Sequence, residues 1–525
     1  MNTNVNEAGE KMYYFLNNKI DLNSSGIEHA EIKRLKLFQE FNVNAKIVTF
    51  GYDRFAHRNI KSYGLTDDDY INMYDYFAGT IKFKSRVMTI DQLPLPKFAK
   101  KVRTGNGYEI YDESRKTMII NLLTNSRQLD TVEYLNGDGD CTKKDLYDFR
   151  GFLSVTQFYG TNSKLMEVEQ FHKPDGTIYC ETSCAKRPDF LAVTNIQLTD
   201  VDGTLYSLMN LGQAFTIMLD HLNKADTTSG EKSTFISDRS NITNLPMLNM
   251  KTKARKIEHF HNIHFRDYWD PMNSPLTYPS IANTDQLRKT SIVVVPTEKQ
   301  AKDMRERLQT RVPIVAIPVG IVPKSQLQAP HISMKQRTNG KIIAVARLDY
   351  QKRLDDAINV FTKVYQKNSN LTFDIYGYGN DGDNGKEEKK LRELVKTLNM
   401  ENVIKFKGYV QDVNKVYDDA QLMILSSRYE GAPLCIVEAQ SHGVPVISYD
   451  INYGPSDLIQ DNKSGFLVPD GNTKLLEQKI EQFFGDKKLR ENLSQGAYEN
   501  AKRFSPEGVW QYWDKFVINQ NKIIK

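Results

Sequence analysis

From Lys341 onward the chain alternates short apolar runs with amphipathic stretches, and this alternation narrows the choice of fold more than any other feature. Ile342–Val345, Leu371–Tyr376, Val403–Phe406, Leu422–Leu425 and Val444–Ser448 read as strands. Leu354–Tyr365 and Glu387–Leu398 carry apolar residues at helical spacing. Strands separated by helices are joined by right-handed crossovers, so they lie parallel in one sheet. Ligands of such sheets bind beyond the carboxyl ends of the strands, and the loops there are the first place to look for chemistry.

The N-terminal part starts in the same way, with a strand over Tyr13–Leu16, a helix over Glu28–Phe41 and a strand over Ala45–Phe50. From Gly79 to about Thr199 the period becomes two, as in Thr80–Lys84, Tyr108–Tyr111 and Thr117–Ile120. Turn signals punctuate that stretch at Asn136-Gly137 and at Lys173-Pro174-Asp175-Gly176. The pattern predicts an antiparallel β insertion inside the first α/β domain. Helical patterning resumes over Leu205–Leu222, and buried strands are expected at Thr234–Ser237, Ile257–Phe260 and Ile292–Val295. Pro313, Pro318, Gly320 and Pro323 make a stiff crossing into a second α/β domain. A chain of 525 residues should hold two or three domains. The expected division is 1–78 and 200–323 as two parts of the first domain, with 79–199 as the insertion. Residues 324–505 form the second domain, and 506–525 a C-terminal helix crossing back to the first.

Composition removes several classes of function. The 40% apolar and 26% charged fractions are those of a soluble globular protein. No segment approaches the ~20 apolar residues of a membrane span, and Met1–Lys11 lacks a signal-peptide core. A cytoplasmic protein is expected, with peripheral contact at the inner membrane face left open. Four cysteines (Cys141, Cys180, Cys184, Cys435) suit free thiols in a reducing compartment. The net charge of +5 comes without a basic and aromatic platform, which argues against nucleic acid. Two basic runs, Lys97/Lys100/Lys101/Arg103 and Lys251/Lys253/Arg255/Lys256, are either solvated faces or attractors of an anionic acceptor. The acidic stretches Asp138–Asp140 and Asn380–Gly385 lack the terminal glutamate of a calcium loop and read as turns, so no metal is expected.

Chemistry concentrates in the strand-end loops. In Arg428-Tyr-Glu430-Gly431-Ala-Pro433-Leu434-Cys435-Ile-Val-Glu438-Ala439, Pro433 suits a helix start and Gly443 a helix end. The amides near Leu434 and Cys435 would then form an anion site fit for a diphosphate. Glu430 would lie in the loop, and Glu438 one turn inside the helix, placed to accept from ribose hydroxyls. Arg347 and Lys352 follow the strand Ile342–Val345 and can grip phosphate oxygens. Gly377 and Gly379 end another strand, and Gly408-Tyr409 a further one, where glycine lets a ligand approach the backbone. Each element alone is commonplace. Together they aim glycines, cations and carboxylates at one crevice.

In this order the motifs resemble the family 4 glycosyltransferases, closely over Lys341–Ser505 and more loosely before it. The resemblance implies an α/β GT-B fold of two facing Rossmann-like domains, retention at the anomeric carbon and a UDP-sugar donor, with UDP-GlcNAc preferred and no cofactor required. It also implies roles: Arg347 and Lys352 on the diphosphate, Glu438 on ribose, and Glu430 on the transferred sugar. The loop Ser24-Ser-Gly26-Ile-Glu-His-Ala30 looks like the glycine loop at the first helix, which faces phosphate and acceptor. The family's histidine beside the donor sugar falls among His259, His261 and His264, with His264 the best fit and His261 the alternative. Tyr453–Ile459 and Asn462–Phe466, with the β insertion, are similar to Gram-positive enzymes that decorate surface polymers. Two acceptors follow, a Ser-rich or Ser-Asp-repeat adhesin (preferred) and wall teichoic acid. A non-catalytic partner subunit of the same fold is the alternative of another class. The insertion would serve acceptor docking or homo-oligomer formation.

Overall fold

Six parallel strands frame the C-terminal part of the computed structural model, which describes residues 11–160, 164–187, 191–227, 233–379 and 385–519. Across the sheet they run Ile404–Gly408, Thr372–Tyr376, Lys341–Val345, Leu422–Leu425, Val446–Asp450 and Gly465–Pro469. The chain builds outward from Lys341–Val345 in one direction, returns to the centre, and builds outward in the other. The reversal lies between Lys341–Val345 and Leu422–Leu425, the place where crossovers diverge and a crevice opens. Ile342, Ile343, Leu422 and Met423 have no exposed surface, which is why these strands read as continuous apolar runs. On the helix Leu354–Lys367, Leu354, Ala357, Ile358, Phe361 and Val364 face the sheet, while Asp355 and Asp356 occupy the dipole-positive first turn.

The chain divides into two units, Met1–Lys256 and Ile257–Lys525. Besides the six-stranded sheet, the second unit holds Ile292–Val295 paired in parallel with Ile314–Ala316 and with residues 257–259. In the first unit, Thr234–Ser237, Tyr13–Asn17, Ala45–Thr49 and Tyr70–Asn72 lie parallel in that order. That unit also carries a ten-stranded antiparallel sheet, paired in sequence order from Lys100–Thr104 to Leu205–Leu208. Val155, Phe171, Cys180, Ile196 and Leu198 from the antiparallel sheet share one core with Phe77, Phe215 and Met218.

A buried ionic network fastens the antiparallel sheet at its base. Arg150 donates through Nε to Asp148 (2.8 Å), through an Nη to the Thr80 carbonyl (2.7 Å), and to Asp75. His57 joins with Nδ1 2.7 Å from Asp67 and Nε2 2.9 Å from Asp75. Burial alone would raise the Asp75 carboxyl, yet the His57 hydrogen bond and the Arg150 charge hold it well below the usual range.

Two expectations are corrected. Thr80–Lys84 forms a turn and irregular chain rather than a strand, because the Thr80 hydroxyl is spent on Asp75 (2.6 Å) and its carbonyl on Arg150. Leu205–Leu208 forms the last strand, and the helix begins only at Leu211. The spacing of Leu205, Leu208 and Leu211 imitates a helix. The turn closed by Asp200 N–H on Thr204 (2.8 Å) folds Leu205 back onto Thr199 instead. The Asn380–Asn384 part of the second acidic loop lies outside the described residues. Among the described residues, no helix is long and apolar enough to cross a membrane.

Candidate active site

The loops after Lys341–Val345 and Leu422–Leu425 flank the reversal point and are braced against each other. Lys352 Nζ meets Glu430 Oε1 at 2.6 Å, and the Ser427 hydroxyl donates to the same oxygen at 2.7 Å. Gln351 Nε2 donates to the Tyr429 carbonyl at 2.9 Å and lies 3.4 Å from Glu430 Oε2. The backbone adds Arg428 N–H to the Gln351 carbonyl at 2.7 Å, and the Ser426 hydroxyl donates to the Lys352 carbonyl at 2.9 Å. Arg347 pairs with Asp349 at 3.0 Å while its side chain stays 41% exposed. The loops are cross-braced, and a cation remains accessible at their edge.

The helix Leu434–Ser441 leaves this brace with Pro433 as its N-cap and ends at Gly443, where φ is +69°. Five of its eight residues are buried, and the three that retain surface are Leu434, Cys435 and Glu438. Those three share one face, and Leu434 and Cys435 lie in the first turn, the part of a helix that offers unpaired amides to an anion. Burial pushes the Cys435 thiol up to about 12, with the nearby Lys352 charge opposing. The residue therefore offers its amide rather than a thiolate. A β-carbon on Gly431 would come within 2.2 Å of the His261 carbonyl, so only glycine lets the Glu430 loop touch the His261 segment.

The remaining expected residues are distributed less evenly. Gly377 (φ +144°) sits at a strand end, where a β-carbon would strike the Ala346 carbonyl at 1.8 Å, and its N–H bonds the Gly408 carbonyl at 2.9 Å. Backbone packing at the strand end requires glycine at 377, whereas Gly408 (φ +73°) has open space where a β-carbon would stand. Tyr409 is half-buried beside Tyr378. Gly26, in the first unit, is exposed and opens the helix Gly26–Glu40. Behind it, Glu28 takes the Ser25 N–H at 2.9 Å and pairs with Arg239.

His264, which the sequence reading sets beside the donor sugar, is buried. It has no exposed surface, lies stacked on Tyr453 (6.1 Å, 9°) and edge-on to Phe265, and neither ring nitrogen meets a hydrogen-bond partner. Burial, helped by the Arg307 charge, lowers its pKa to about 3, so the ring is neutral. His261 keeps part of its surface, and its backbone touches the Glu430–Gly431 loop. Spacing alone could not tell that His259 and His264 are buried while His261 keeps surface. Sequence reasoning also missed Asp349, Gln351 and Ser427. The first two lie between Arg347 and Lys352, and that proximity was the available signal.

The chain is similar to known proteins over most of its length. Residues 328–500 match the family model described as glycosyl transferases group 1. The UDP-N-acetylglucosamine–peptide N-acetylglucosaminyltransferase GtfA subunit of Streptococcus pneumoniae is 24% identical, covering 96% of this chain and 98% of its own. The poly(ribitol-phosphate) α-N-acetylglucosaminyltransferase of Staphylococcus aureus is 23% identical over 96% of this chain and 99% of its own. The structure of pneumococcal O-GlcNAc transferase GtfA in complex with UDP and GlcNAc superposes with a TM-score of 0.81 at 21% identity, over 98% and 100% of the two chains. The fold is GT-B.

Proposed function

We propose that this chain, whose residues 328–500 are a glycosyl transferases group 1 domain, moves GlcNAc from UDP-GlcNAc to hydroxyls of a bacterial surface acceptor with retention of configuration. The preferred acceptor is serine of a Ser-rich or Ser-Asp-repeat adhesin, in line with the peptide-directed relative. The observation that carries the reading is the Lys352–Glu430 pair at 2.6 Å, which joins the two loops on either side of the reversal point.

Arg347, Lys352 and the amides of Leu434 and Cys435 stabilise the charge that grows on the departing diphosphate. Glu438 accepts from ribose, and Glu430 from the transferred sugar. The bond from C1 to the diphosphate oxygen breaks as the acceptor oxygen bonds C1 on the same face, and the acceptor proton passes to the departing phosphate. No metal enters this scheme. His261 replaces His264 as the histidine assigned to the donor sugar, because it alone of the two keeps an open surface.

Wall teichoic acid is the second reading. It is favoured by the exposed Lys100, Lys101 and Arg103 on one strand, which suit a phosphate polymer. Exposed Leu191, Val193 and Leu205 on the last strands mark the antiparallel sheet as the surface assigned to subunit contact. Labelled UDP-GlcNAc, offered with a serine-repeat peptide and with poly(ribitol phosphate), tests the assignment. Label should enter the peptide. Label in the polymer alone selects the second reading, and no transfer or donor hydrolysis at all contradicts an enzyme.

A further inference from the structure

The Glu438 carboxylate has a partner outside its own helix. Tyr417, on the short helix Asn414–Asp419, has no exposed surface, and its hydroxyl donates to Glu438 Oε2 across 3.3 Å. Burial pushes this hydroxyl far above its ordinary pKa, so it stays protonated and acts as a donor.

The backbone that carries the ring is tied down. Arg337, 4% exposed, donates to the carbonyls of Tyr417 (2.8 Å) and Ala420 (3.0 Å), and also to the carbonyl of His442. His442 caps the C-terminal end of the helix that carries Glu438, lies 5.6 Å from the Tyr417 ring, and places Nδ1 2.7 Å from Asp418. One guanidinium thus ties the helix bearing Tyr417 to the helix bearing Glu438. A carboxylate has about four acceptor sites, so the hydrogen bond from Tyr417 orients it without filling its acceptor capacity.

We propose that Tyr417 is a positioning residue that holds the Glu438 carboxylate in the orientation that receives the ribose hydroxyls of the nucleotide donor. The inference rests on the ribose role assigned to Glu438. Preorganising an acceptor removes the ordering cost from each binding event, so the loss should appear in donor affinity rather than in the chemical step.

The test compares UDP-GlcNAc with its 2′,3′-dideoxyribose analogue in the wild type, Tyr417→Phe, Glu438→Gln and the double variant. Tyr417→Phe keeps the buried ring, and its melting temperature checks the fold. The expected result for Tyr417→Phe is a KM for UDP-GlcNAc raised about tenfold, with kcat within about twofold and the analogue's KM unchanged. The double variant should be no worse than Glu438→Gln. An equal change for both donors, or none, while Glu438→Gln loses the preference for ribose hydroxyls, overturns the role of Tyr417 and leaves the ribose assignment standing. Glu438→Gln retaining the full preference overturns the ribose assignment and the inference with it.

Discussion

The clusters around Glu430 and around Arg150 are built from the same materials, carboxylate, cation and amide, and differ in how they are closed. Arg150 has a side chain 3% exposed and directs its donors inward at Asp148, Thr80 and Asp75. Around Glu430 the loops are cross-braced just as firmly, but Arg347 is 41% exposed and the helix beside it keeps surface only at Leu434, Cys435 and Glu438. A closed ionic network spends its charges on holding elements together. One with an open edge keeps charge accessible, and that difference separates the fastening at Arg150 from the site proposed at Glu430.

Breaking the closed cluster should have the largest effect. Arg150→Met leaves Asp75 and Asp148 buried without their cation, and the expected loss is about 3–5 kcal/mol of stability, read by urea unfolding. Donor affinity of the remaining folded protein should not change. The open cluster should answer in the opposite way. Glu430→Gln keeps the shape and should lower transfer by roughly 10²–10³, about 3–4 kcal/mol in the barrier, while the lost charge pair with Lys352 costs less stability than Arg150→Met. If Glu430→Gln unfolds the protein while turnover per folded molecule survives, the two clusters are alike and the distinction fails.

His264 sharpens the same contrast by pH. Its folded pKa is about 3, so below the unfolded value of ~6.5 the unfolded chain takes up a proton that the folded chain refuses. Stability is full above that value and declines as pH falls toward 3. Between pH 7 and pH 5 the wild type should lose about 2 kcal/mol more than His264→Gln, measured as the pH dependence of unfolding. A pH profile identical in the two proteins would remove the buried, neutral ring. The smallest effect is expected on the exposed strand Lys100–Thr104. Lys100→Gln with Lys101→Gln should shift stability by under about 0.5 kcal/mol, while KM rises for a phosphate-polymer acceptor in a salt-dependent way.

The placement of the strand-end residues was legible because position and residue type coincide there. Arg347, Lys352, Glu430 and Glu438 all follow strands whose apolar runs are unmistakable, and a parallel sheet fixes where such residues point. The antiparallel region announced itself through period two and its turns. What stayed hidden depends on long-range contact. Thr80–Lys84 alternates like a strand but is claimed by Asp75 and Arg150. Leu205–Leu208 has helical spacing but is captured by a hairpin. Gln351 is an ordinary polar residue until folding brings it to Glu430. Nothing in the spacing of His259, His261 and His264 says which ring faces inward.

Calorimetric titration of the intact chain with UDP tests the central claim most directly, because it reads the donor site without an acceptor. One binding site is predicted, weakened about 10- to 100-fold in Arg347→Ala and unchanged in Arg150→Met at a temperature where that variant is folded. Equal affinity for UDP in the wild type and Arg347→Ala, or no binding to the wild type, would contradict a nucleotide site at the open cluster.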